Sequence, residues 1–486
     1  MELTAAERDR AIGVLVSTAA GDALGAGYEF GKPMDASAPV DMIGGGLGPF
    51  APGEWTDDTS MAIAVAEIAS TGADLRDETS LDYIVDRWYG WSRTAKDIGV
   101  QTSGVLSAAA RRGISARTVR EESEALHRAT GRSAGNGSLM RTAPVALAYL
   151  HDEDALVQAA RSISELTHFD PDAGDACVLW CLAIRHAVHT GELDARIGLG
   201  RIDSQRRDLW VSRFDDAENK HPADFSVNNG WVVAALQGAW SAITTTPVPA
   251  DDPAVGVFRV DHLRLALEAA VRGGGDTDTV AAIAGALLGA AYGVSAVPWN
   301  WRRVLKGWPG LSIRELIHLA DRIINGGEPE HFDATYGGWN GAPSPVPHPY
   351  DDGVWLGTAR SLRELPVGVD AVVSLCRVAD GDIRGGGLGH LDVRLIDQVG
   401  ENANLDFVLV DTVRAIEQLR AEGRTVFVHC VAAQSRTPTI AALYGARLRD
   451  VDVDRALSDV CGVLPDADPN PEFRAALPRL HREPQR

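Results

Sequence analysis

The sequence predicts a multidomain protein in which an all-α domain is followed by a smaller α/β domain. The chain has 486 residues, too many for one ordinary hydrophobic core, and its 45% hydrophobic and 23% charged residues are typical of globular proteins. Long alanine-rich segments with helical spacing fill the first two thirds. Short β-branched runs alternate with helical patterns in the last third, as in α/β units.

The helical part is expected to form one domain over residues 1–328. Its segments RAIGVLVSTAAGDALGAGYEF, TSMAIAVAEIAS, LMRTAPVALAYL, DACVLWCLAIRHAVHT and TVAAIAGALLGAAYG are apolar at helical intervals and are separated by Gly, Pro and Asp-Gly clusters. We expect the region to be nearly all helix.

A change of composition marks the predicted domain boundary. Residues 329–353 are rich in Pro and Gly and have no periodic apolar face, which is typical of a linker. The second domain is predicted over residues 354–486. There, DAVVSLC and TVFVHC have the pattern of short strands, while LDFVLVDTVRAIEQLRAEG and TPTIAALYGARLRD have that of helices, so a partly parallel sheet is expected.

Composition also excludes several classes of function. A formal net charge of −21 opposes binding to nucleic acid or to an anionic membrane. The five cysteines are few and scattered, which argues against a disulfide framework. The first residues have no signal-peptide pattern, and no apolar run looks long enough to span a bilayer, so a cytoplasmic location is expected.

Two acidic clusters precede apolar helices in the first domain: Thr56-Asp57-Asp58-Thr59 and Asp276-Thr277-Asp278-Thr279. Each cluster by itself is also what ordinary helix N-capping would produce. Together they offer four carboxylates and several hydroxyls, an oxygen ligand set that suits Mg²⁺ or Mn²⁺. Burying so much negative charge is costly without cations, which favours a two-metal site.

Five sequence blocks resemble the ADP-ribosylglycohydrolase family in order and composition: GDALGAGYEF, WTDDTSMA, GNGSLMRTAP, LTHFDPDA and GGDTDTVAAIAGALLGAAYG. The resemblance covers about residues 8–320. It implies an all-helical, magnesium-dependent hydrolase that cleaves the glycosidic bond between ADP-ribose and an acceptor.

The same resemblance implies roles for individual residues. It assigns as ligands of two magnesium ions, for which manganese is a possible substitute, Thr56, Asp57, Asp58, Asp276, Asp278 and Thr279. Glu29 corresponds to a family glutamate near the metals and is a candidate acid/base or gating group, although a solvated acid at a helix end has the same pattern. Asp97 corresponds to an acidic position in some bacterial members, and a plain loop carboxylate is the alternative.

Substrate-binding residues are predicted in two further blocks. Gly135, Asn136, Gly137 and Ser138 form a turn-rich loop expected to enter a helix and to present backbone N–H groups to the diphosphate, the alternative being a simple turn or cap. His168 resembles the family histidine that approaches ADP-ribose. Outside the block LTHFDPDA, a lone histidine would more often be a structural donor.

A thiol loop follows the strand TVFVHC in the second domain. Cys430 is expected between the end of a strand and the start of a helix, where loop amides and Arg436 would cradle a phosphate. A buried structural cysteine is the alternative. The pattern HC, five residues, Arg and Thr resembles dual-specificity protein tyrosine phosphatases over about residues 354–450.

That resemblance implies a thiol-based mechanism. Cys430 is the expected nucleophile, Arg436 the phosphate ligand and Thr437 the residue that assists departure of the thiolate. Asp397, 33 residues before the cysteine, stands about where the family places its general acid. One position departs from the pattern, because Ala433 stands where the loop usually has glycine.

The predicted function is therefore magnesium-dependent removal of ADP-ribose from a protein side chain or a small conjugate. The second domain would act on a phosphorylated protein or metabolite. Two alternatives stay open. In one, the second domain is a phosphate-binding module without turnover; in the other, phosphatase activity is the main output and the helical domain senses ADP-ribose. The acceptor linkage, the oligomeric state and any coupling between the domains are not specified by these motifs.

Overall fold

The protein is described by a computed structural model over residues 3–328, 344–378, 383 and 388–481. These residues divide into two compact units. The first comprises residues 3–248, 262–297 and 304–328, and the second comprises residues 249–261, 298–303 and the described residues from 344 onward.

This division differs from the predicted boundaries in two ways. Residues 249–261 and 298–303 were expected in the first domain but cluster with the second unit. The predicted linker also extends too far, because a strand begins at Val346 and the next at Asp351. The first of these strands contains Pro347 and is an edge strand, where a missing N–H is tolerated. Of the linker, residues 329–343 lie outside the described part.

The helices are α1 (Ala5–Gly25), α2 (Asp57–Ala69), α3 (Glu78–Ser92), α4 (Val100–Ala110), α5 (Ala116–Thr130), α6 (Ala143–Ala148), α7 (Glu153–Glu165), α8 (Pro171–Thr190), α9 (Ser204–Glu218), α10 (Val232–Thr245), α11 (Asp261–Arg272), α12 (Thr277–Tyr292), α13 (Trp299–Arg302), α14 (Ile313–Ile324), α15 (Leu405–Ala421), α16 (Arg436–Arg449), α17 (Val453–Val463) and α18 (Pro471–Leu480). The strands are β1 (Lys306–Gly307), β2 (Leu311–Ser312), β3 (Val346–His348), β4 (Asp351–Thr358), β5 (Ala371–Ser374), β6 (Gly389–Asp392) and β7 (Val426–Cys430).

The first unit is helical apart from the short antiparallel ribbon β1–β2, which confirms the predicted class. Helices α1 and α12 form its centre and pack with their backbones in direct contact. A Cβ atom added at Gly285 would lie 2.1 Å from the carbonyl oxygen of Ser17, and one at Gly21 would lie 2.1 Å from that of Ala281. Only glycine permits this approach. The contact brings the end of α1 beside the start of α12.

Helix α1 also corrects one expectation drawn from the sequence. By length and composition the stretch Ala5–Tyr28 could cross a membrane, with a mean hydropathy of 1.2 over its apolar window. However, 89% of that window is buried inside the fold. Because α1 is surrounded by other helices of the first unit, its apolar character is that of a core helix.

The second unit contains a five-stranded sheet in the order β3-β4-β7-β5-β6. All neighbouring strands are parallel except β3 and β4, so the predicted partly parallel α/β sheet is confirmed. Strand β7 lies at the centre, pairs with β4 and β5, and is buried throughout. Its last residue is Cys430, and α16 begins at Arg436, so the thiol loop leaves the carboxyl edge of the sheet.

Candidate functional site

Five carboxylates converge in the first unit where α1, α2 and α12 meet. Asp22, Asp58 and Asp278 each offer an oxygen within 4.8 Å of the others, and all three are buried. Asp278 also forms a second group of the same size with Glu29 and Asp276. Two overlapping groups that share Asp278 make an arrangement suited to two neighbouring divalent cations.

The helix-capping alternative does not account for these side chains. Thr56 occupies the N-cap position of α2 and Asp276 that of α12, yet neither side chain accepts a capping hydrogen bond from its helix. Instead, Thr56 Oγ1 lies 3.1 Å from Asp58 Oδ2 and 3.4 Å from Asp278 Oδ2. The polar groups at the two helix starts point toward each other.

Asp22 is fully buried, as Asp58 is, and sequence reasoning did not select it. Its Oδ1 accepts hydrogen bonds from the backbone N–H and the hydroxyl of Thr56, both at 2.9 Å. Its Oδ2 accepts from the backbone N–H of Thr59 at 3.0 Å and from the Thr59 hydroxyl at 2.6 Å. With both oxygens engaged, Asp22 orients the first turn of α2 and with it the predicted ligands.

Mutual repulsion and burial raise the pKa values of these acids. The pKa of Asp58 lies well above its usual value because of burial and the charges of Asp22, Asp57 and Asp276. The pKa of Asp278 is raised in the same way, first by burial and then by Asp58 and Asp276. Such a cluster is electrostatically unfavourable when ionised and without cations.

One buried oxygen in the cluster also fits a site for divalent cations. Asp58 Oδ1 has no hydrogen-bond partner among the described residues, although it is inaccessible to solvent. An unpartnered buried carboxylate oxygen is costly. The oxygen-rich donor set of carboxylates and threonine hydroxyls fits Mg²⁺ or Mn²⁺, and a coordinated cation would satisfy this oxygen.

Glu29 is held beside Asp276 by a short backbone pairing. The N–H of Phe30 donates to the Gly275 carbonyl at 2.6 Å, and the N–H of Gly275 donates to the Gly31 carbonyl at 3.0 Å. Burial, and then the charge of Asp276, raise the pKa of Glu29 to about 7. A carboxyl group with this pKa can either give or take a proton near neutral pH.

Asp57 and Asp97 lie at a cavity of about 510 Å³ that borders the cluster. Burial, followed by the charge of Asp97, raises the pKa of Asp57 to about 8. Aromatic rings of Phe50, Trp55 and Trp308 also line the cavity. Asp57, predicted as a metal ligand, is therefore at the edge of the two carboxylate groups and is not a member of either one.

The predicted glycine loop lies beside the cluster but differs from expectation. It forms a single 3-10 turn, Asn136–Ser138, and the next helix begins only at Ala143, so the loop does not enter a helix directly. The backbone N–H of Asn136 donates to the Gly230 carbonyl at 3.1 Å and is not free for a ligand. The Asn136 side chain instead donates to Asp276 Oδ2 at 2.7 Å, which ties the loop to the carboxylates.

His168 packs directly under this loop. It is 2% exposed, and a Cβ atom added at Gly135 or Gly137 would lie 3.1 Å from a ring atom. The absence of a side chain at both glycines therefore lets the ring approach the backbone. The structure thus brings together Glu29, the acidic clusters, the loop and His168.

The second unit has a separate candidate site at the thiol loop. Cys430 is buried at the end of β7, and Arg436 begins α16. Arg436 Nη1 donates to the Leu395 carbonyl at 2.9 Å, while its Nε lies 3.7 Å from Asp397 Oδ2. Thr437 Oγ1 is buried and has no hydrogen-bond partner among the described residues. The four residues predicted for this site therefore belong to one region of the unit.

Ala433 adopts the backbone conformation expected of the glycine it replaces. Its φ of 56° lies in the left-handed region, which is strained for a residue with a Cβ. The turn from β7 to α16 therefore contains a residue with a Cβ in the left-handed region. Asp397 is held nearby, since Asn470 Nδ2 donates to its Oδ1 at 3.0 Å.

The family of the first unit follows from a profile match. Residues 3–331 match the family described as ADP-ribosylglycohydrolase, which is more than half of the chain. The chain belongs to the ADP-ribosylglycohydrolase family. The five sequence blocks all lie within the matched residues, so this part of the resemblance is confirmed.

Two curated relatives and one solved structure illustrate the range of similarity. The ADP-ribosylarginine hydrolase Tri1 of Pseudomonas putida is 30% identical over 298 residues, which cover 60% of this chain and 73% of the relative. The ADP-ribosyl-(dinitrogen reductase) glycohydrolase of Rhodospirillum rubrum is 29% identical over 301 residues, covering 60% and 89%. A crystal structure of human DUSP28 aligns with 26% identity, covering 28% of this chain and 96% of that chain, at a TM-score of 0.25. That score supports no conclusion about the second unit.

Two residues of this ADP-ribosylglycohydrolase site were missed by sequence reasoning. Asp22 stands within the block GDALGAGYEF, and a charged residue in the apolar stretch that follows Arg10 was the signal for it. Asn229 accepts from the Asp276 N–H at 2.9 Å and donates to the Gly274 carbonyl at 3.0 Å. It holds the turn before α12, and no local pattern around it indicated this role.

Proposed function

We propose that the first unit hydrolyses the glycosidic bond between ADP-ribose and an acceptor, and that it depends on Mg²⁺, with Mn²⁺ as a possible substitute. The observation that carries this proposal is the convergence of two carboxylate groups on Asp278, one with Asp22 and Asp58 and one with Glu29 and Asp276. Membership of the ADP-ribosylglycohydrolase family and the names of the relatives support the reaction type.

The proposed ligands of two ions are Thr56, Asp57, Asp58, Asp276, Asp278 and Thr279. When bound, the ions would supply Lewis-acid polarisation and a template for the ribose hydroxyls. The chain prepares this site by holding two of the proposed ligands through further residues. Asp22 holds Thr56, and Asn136 holds Asp276 through the 2.7 Å hydrogen bond.

Glu29 is the proposed acid/base group. Its carboxyl group lies beside Asp276 and Asp278, at the edge of the proposed metal site, from which it would protonate the departing acceptor or take a proton from the attacking water. The loop around Leu47 restrains it, because the Leu47 N–H donates to Glu29 Oε2 at 3.3 Å. Asp97 is the second candidate, since its charge acts on both Asp57 and Glu29.

The two halves of the substrate would lie on different sides of the carboxylates. We assign the diphosphate to the Gly135–Ser138 loop and His168, on the side of Asp276. The acceptor would enter the 510 Å³ cavity, which opens at Thr56, Asp57 and Asp97. Proposed acceptors are a protein side chain or a small conjugate, and the relatives named for arginine and dinitrogen reductase make a protein-linked arginine the first to test.

The decisive experiment measures free ADP-ribose released from a panel of arginine-linked, serine-linked and acetyl-linked conjugates. We expect release in Mg²⁺, no release after chelation, and recovery when Mg²⁺ is restored. Asp58→Asn and Asp276→Asn should each abolish the activity, because each removes an anionic ligand. Asp86→Asn, an exposed acid on α3, is the matched control and should behave as wild type. Release that persists without divalent metal would contradict the proposal.

A second proposed activity is phosphate-ester hydrolysis at Cys430. The supporting observation is the left-handed backbone of Ala433, a conformation that the glycine usual at this position adopts readily. The thiolate would attack phosphorus, Asp397 would protonate the leaving oxygen, and water would then clear the cysteinyl phosphate. A phosphate-binding module without turnover is the competing proposal.

An aryl phosphate assayed without metal separates these alternatives. Cys430→Ser should remove phosphatase activity and leave the magnesium-dependent activity unchanged. Arg436→Lys should be severe because lysine lacks the planar fork of arginine, and Asp397→Asn should slow turnover. Ala433→Gly should raise the rate if strain limits it. If wild type and Ala433→Gly are both inert while phosphate analogues still bind, the module interpretation is correct.

A further inference from the structure

A continuous line of hydrogen bonds leads to His168 from the core of the first unit. Arg141 is fully buried, and its Nη2 donates to Thr167 Oγ1 at 2.7 Å. Thr167 Oγ1 lies 2.7 Å from His168 Nδ1. The far side of the ring faces the glycine loop, because Nε2 would lie 3.1 Å from a Cβ atom at Gly135 and 3.3 Å from one at Gly137.

The chemistry of the donors determines which nitrogen of His168 carries the proton. Arginine can only donate, so Thr167 Oγ1 must accept from Arg141. The hydroxyl proton of Thr167 then needs an acceptor, and His168 Nδ1 is its only one among the described residues. If His168 donated instead, the buried hydroxyl proton would be left unpaired, which is costly. Nδ1 therefore accepts, and in the neutral ring the proton resides on Nε2.

The surroundings keep the ring neutral. Burial, and then the fixed charge of Arg141, hold the pKa of His168 well below 6.5. Arg141 is itself held rigidly, because its guanidinium lies 4.0 Å from the centroid of the Trp88 ring and Nη2 also donates to the Ile163 carbonyl at 3.2 Å. Burial lowers the pKa of Arg141 only to about 9, so the direction of the hydrogen bonds is set by a group that stays protonated near neutral pH.

We propose that Arg141 and Thr167 are positioning residues that fix His168 as the tautomer protonated on Nε2 and aim this N–H at the Gly135–Ser138 loop as a donor to a phosphate oxygen. His168 is 2% exposed, and Nε2 is the ring nitrogen that faces the two loop glycines. The inference rests on the proposed function in one respect, namely that the loop receives the diphosphate of ADP-ribose.

A donor from His168 adds to what the loop offers, because the donors of Asn136 are already engaged. The N–H of Asn136 donates to the Gly230 carbonyl, and the Asn136 side chain donates to Asn229 and Asp276. A neutral N–H from His168 adds directional hydrogen bonding without bringing a proton that could pass to the carboxylates. The Thr167 hydroxyl is the one part of this arrangement that can be removed with little change of shape.

Thr167→Val and Thr167→Ser are the test pair in the full-length protein. Valine keeps the shape and removes the hydroxyl, whereas serine keeps the hydroxyl. By calorimetry in Mg²⁺, we expect Thr167→Val to weaken ADP-ribose binding about tenfold, the effect of one hydrogen bond, and Thr167→Ser to bind like wild type. Nitrogen-15 NMR of the histidine rings, with His168→Gln to assign the signal, should find Nε2–H in wild type and a tautomer mixture in Thr167→Val.

The outcomes separate this inference from the proposed function. If His168 is protonated on Nδ1, or if Thr167→Ser loses as much affinity as Thr167→Val, the positioning role is refuted. Equal ADP-ribose affinity in wild type and Thr167→Val would refute it as well. If wild type does not bind ADP-ribose in Mg²⁺, the proposed function fails, while the tautomer measured by NMR still decides whether Arg141 and Thr167 orient the ring.

Discussion

Replacing Asp22 by asparagine tests whether the carboxylate that sequence reasoning missed organises the metal site. Asp22 accepts four hydrogen bonds, two at each oxygen, from the backbone and side chains of Thr56 and Thr59. An amide NH₂ in place of one oxygen faces two donors. The hydroxyl on that side can rotate to accept, but the backbone N–H cannot.

The expected loss of folding free energy follows from the number of donors that face the new amide. One hydrogen bond between an N–H and a carboxylate is lost and one buried N–H is left unpaired, a cost of about 2 to 5 kcal/mol. Without metal, part of this cost is offset, because removing a charge relieves the repulsion with Asp58 that burial intensifies. With Mg²⁺ bound there is no such relief, since each carboxylate is then attracted to the ions. The stability difference between wild type and Asp22→Asn should therefore grow when Mg²⁺ is added.

Thermal unfolding and ADP-ribose release measure the two consequences. We expect the Mg²⁺-induced rise in melting temperature to be smaller in Asp22→Asn than in wild type. The rate of ADP-ribose release should fall about a hundredfold, because displaced ligands misalign the reacting groups. Asp86→Asn serves again as the control. Wild-type activity together with an unchanged Mg²⁺-induced shift would show that Asp22 does not organise the site.

Three further predictions concern stability. Gly285→Ala should destabilise the protein by about 1 to 3 kcal/mol in denaturant titrations, since the new methyl would lie 2.1 Å from a backbone oxygen. Gly104→Ala on α4, which has open space around it, is the control and should be neutral or stabilising. Equal effects of the two substitutions on stability would contradict the packing argument. Ala433→Gly should change stability by less than about 1 kcal/mol, because relief of the left-handed strain is offset by the larger entropy of the unfolded chain; a large loss would show that the methyl is needed for packing. Burial lowers the pKa of His429 from 6.5 to about 3. Below pH 6.5 the unfolded state therefore binds a proton at this residue that the folded state does not bind. As the pH decreases from 6.5 toward 3, the contribution of His429 to stability falls by about 1.4 kcal/mol per pH unit. His429→Gln should remove that slope, so its stability relative to wild type should improve at low pH, and a pH-independent difference would contradict the assignment.

The structure also bears on which length of the chain suits the binding experiments. A fragment ending near residue 330 was expected to hold a complete first domain, but residues 249–261 and 298–303 belong to the second unit. There, the buried Asp411 accepts from the Trp299 N–H at 3.0 Å and lies 3.2 Å from Arg302 Nη2. Removing residues 344–486 would leave Arg302 without this partner. Full-length protein is therefore the better material for the binding experiments.

Much of the architecture is readable in the sequence because it depends on local periodicity. The alanine-rich segments became α1, α2, α8 and α12, and the runs DAVVSLC and TVFVHC became β5 and β7. The boundaries were less predictable. LMRTAPVALAYL forms only the short helix α6, and a proline-containing stretch assigned to the linker supplies the edge strand β3.

The sequence by itself determined the order of the two folds, the carboxylate-rich helix starts and the thiol loop, because these features lie within short segments whose spacing carries the information. It left the choice between helix caps and metal ligands open, since both produce Thr-Asp patterns. Tertiary structure adds what local patterns lack: direct contact of the α1 and α12 backbones places Asp22 and Asp278 within reach of Asp58, 36 or more residues apart in the chain, which favours the proposed metal site. The roles of Asp22 and of the Arg141–Thr167–His168 line likewise depend on distances across the folded core, which no local pattern encodes.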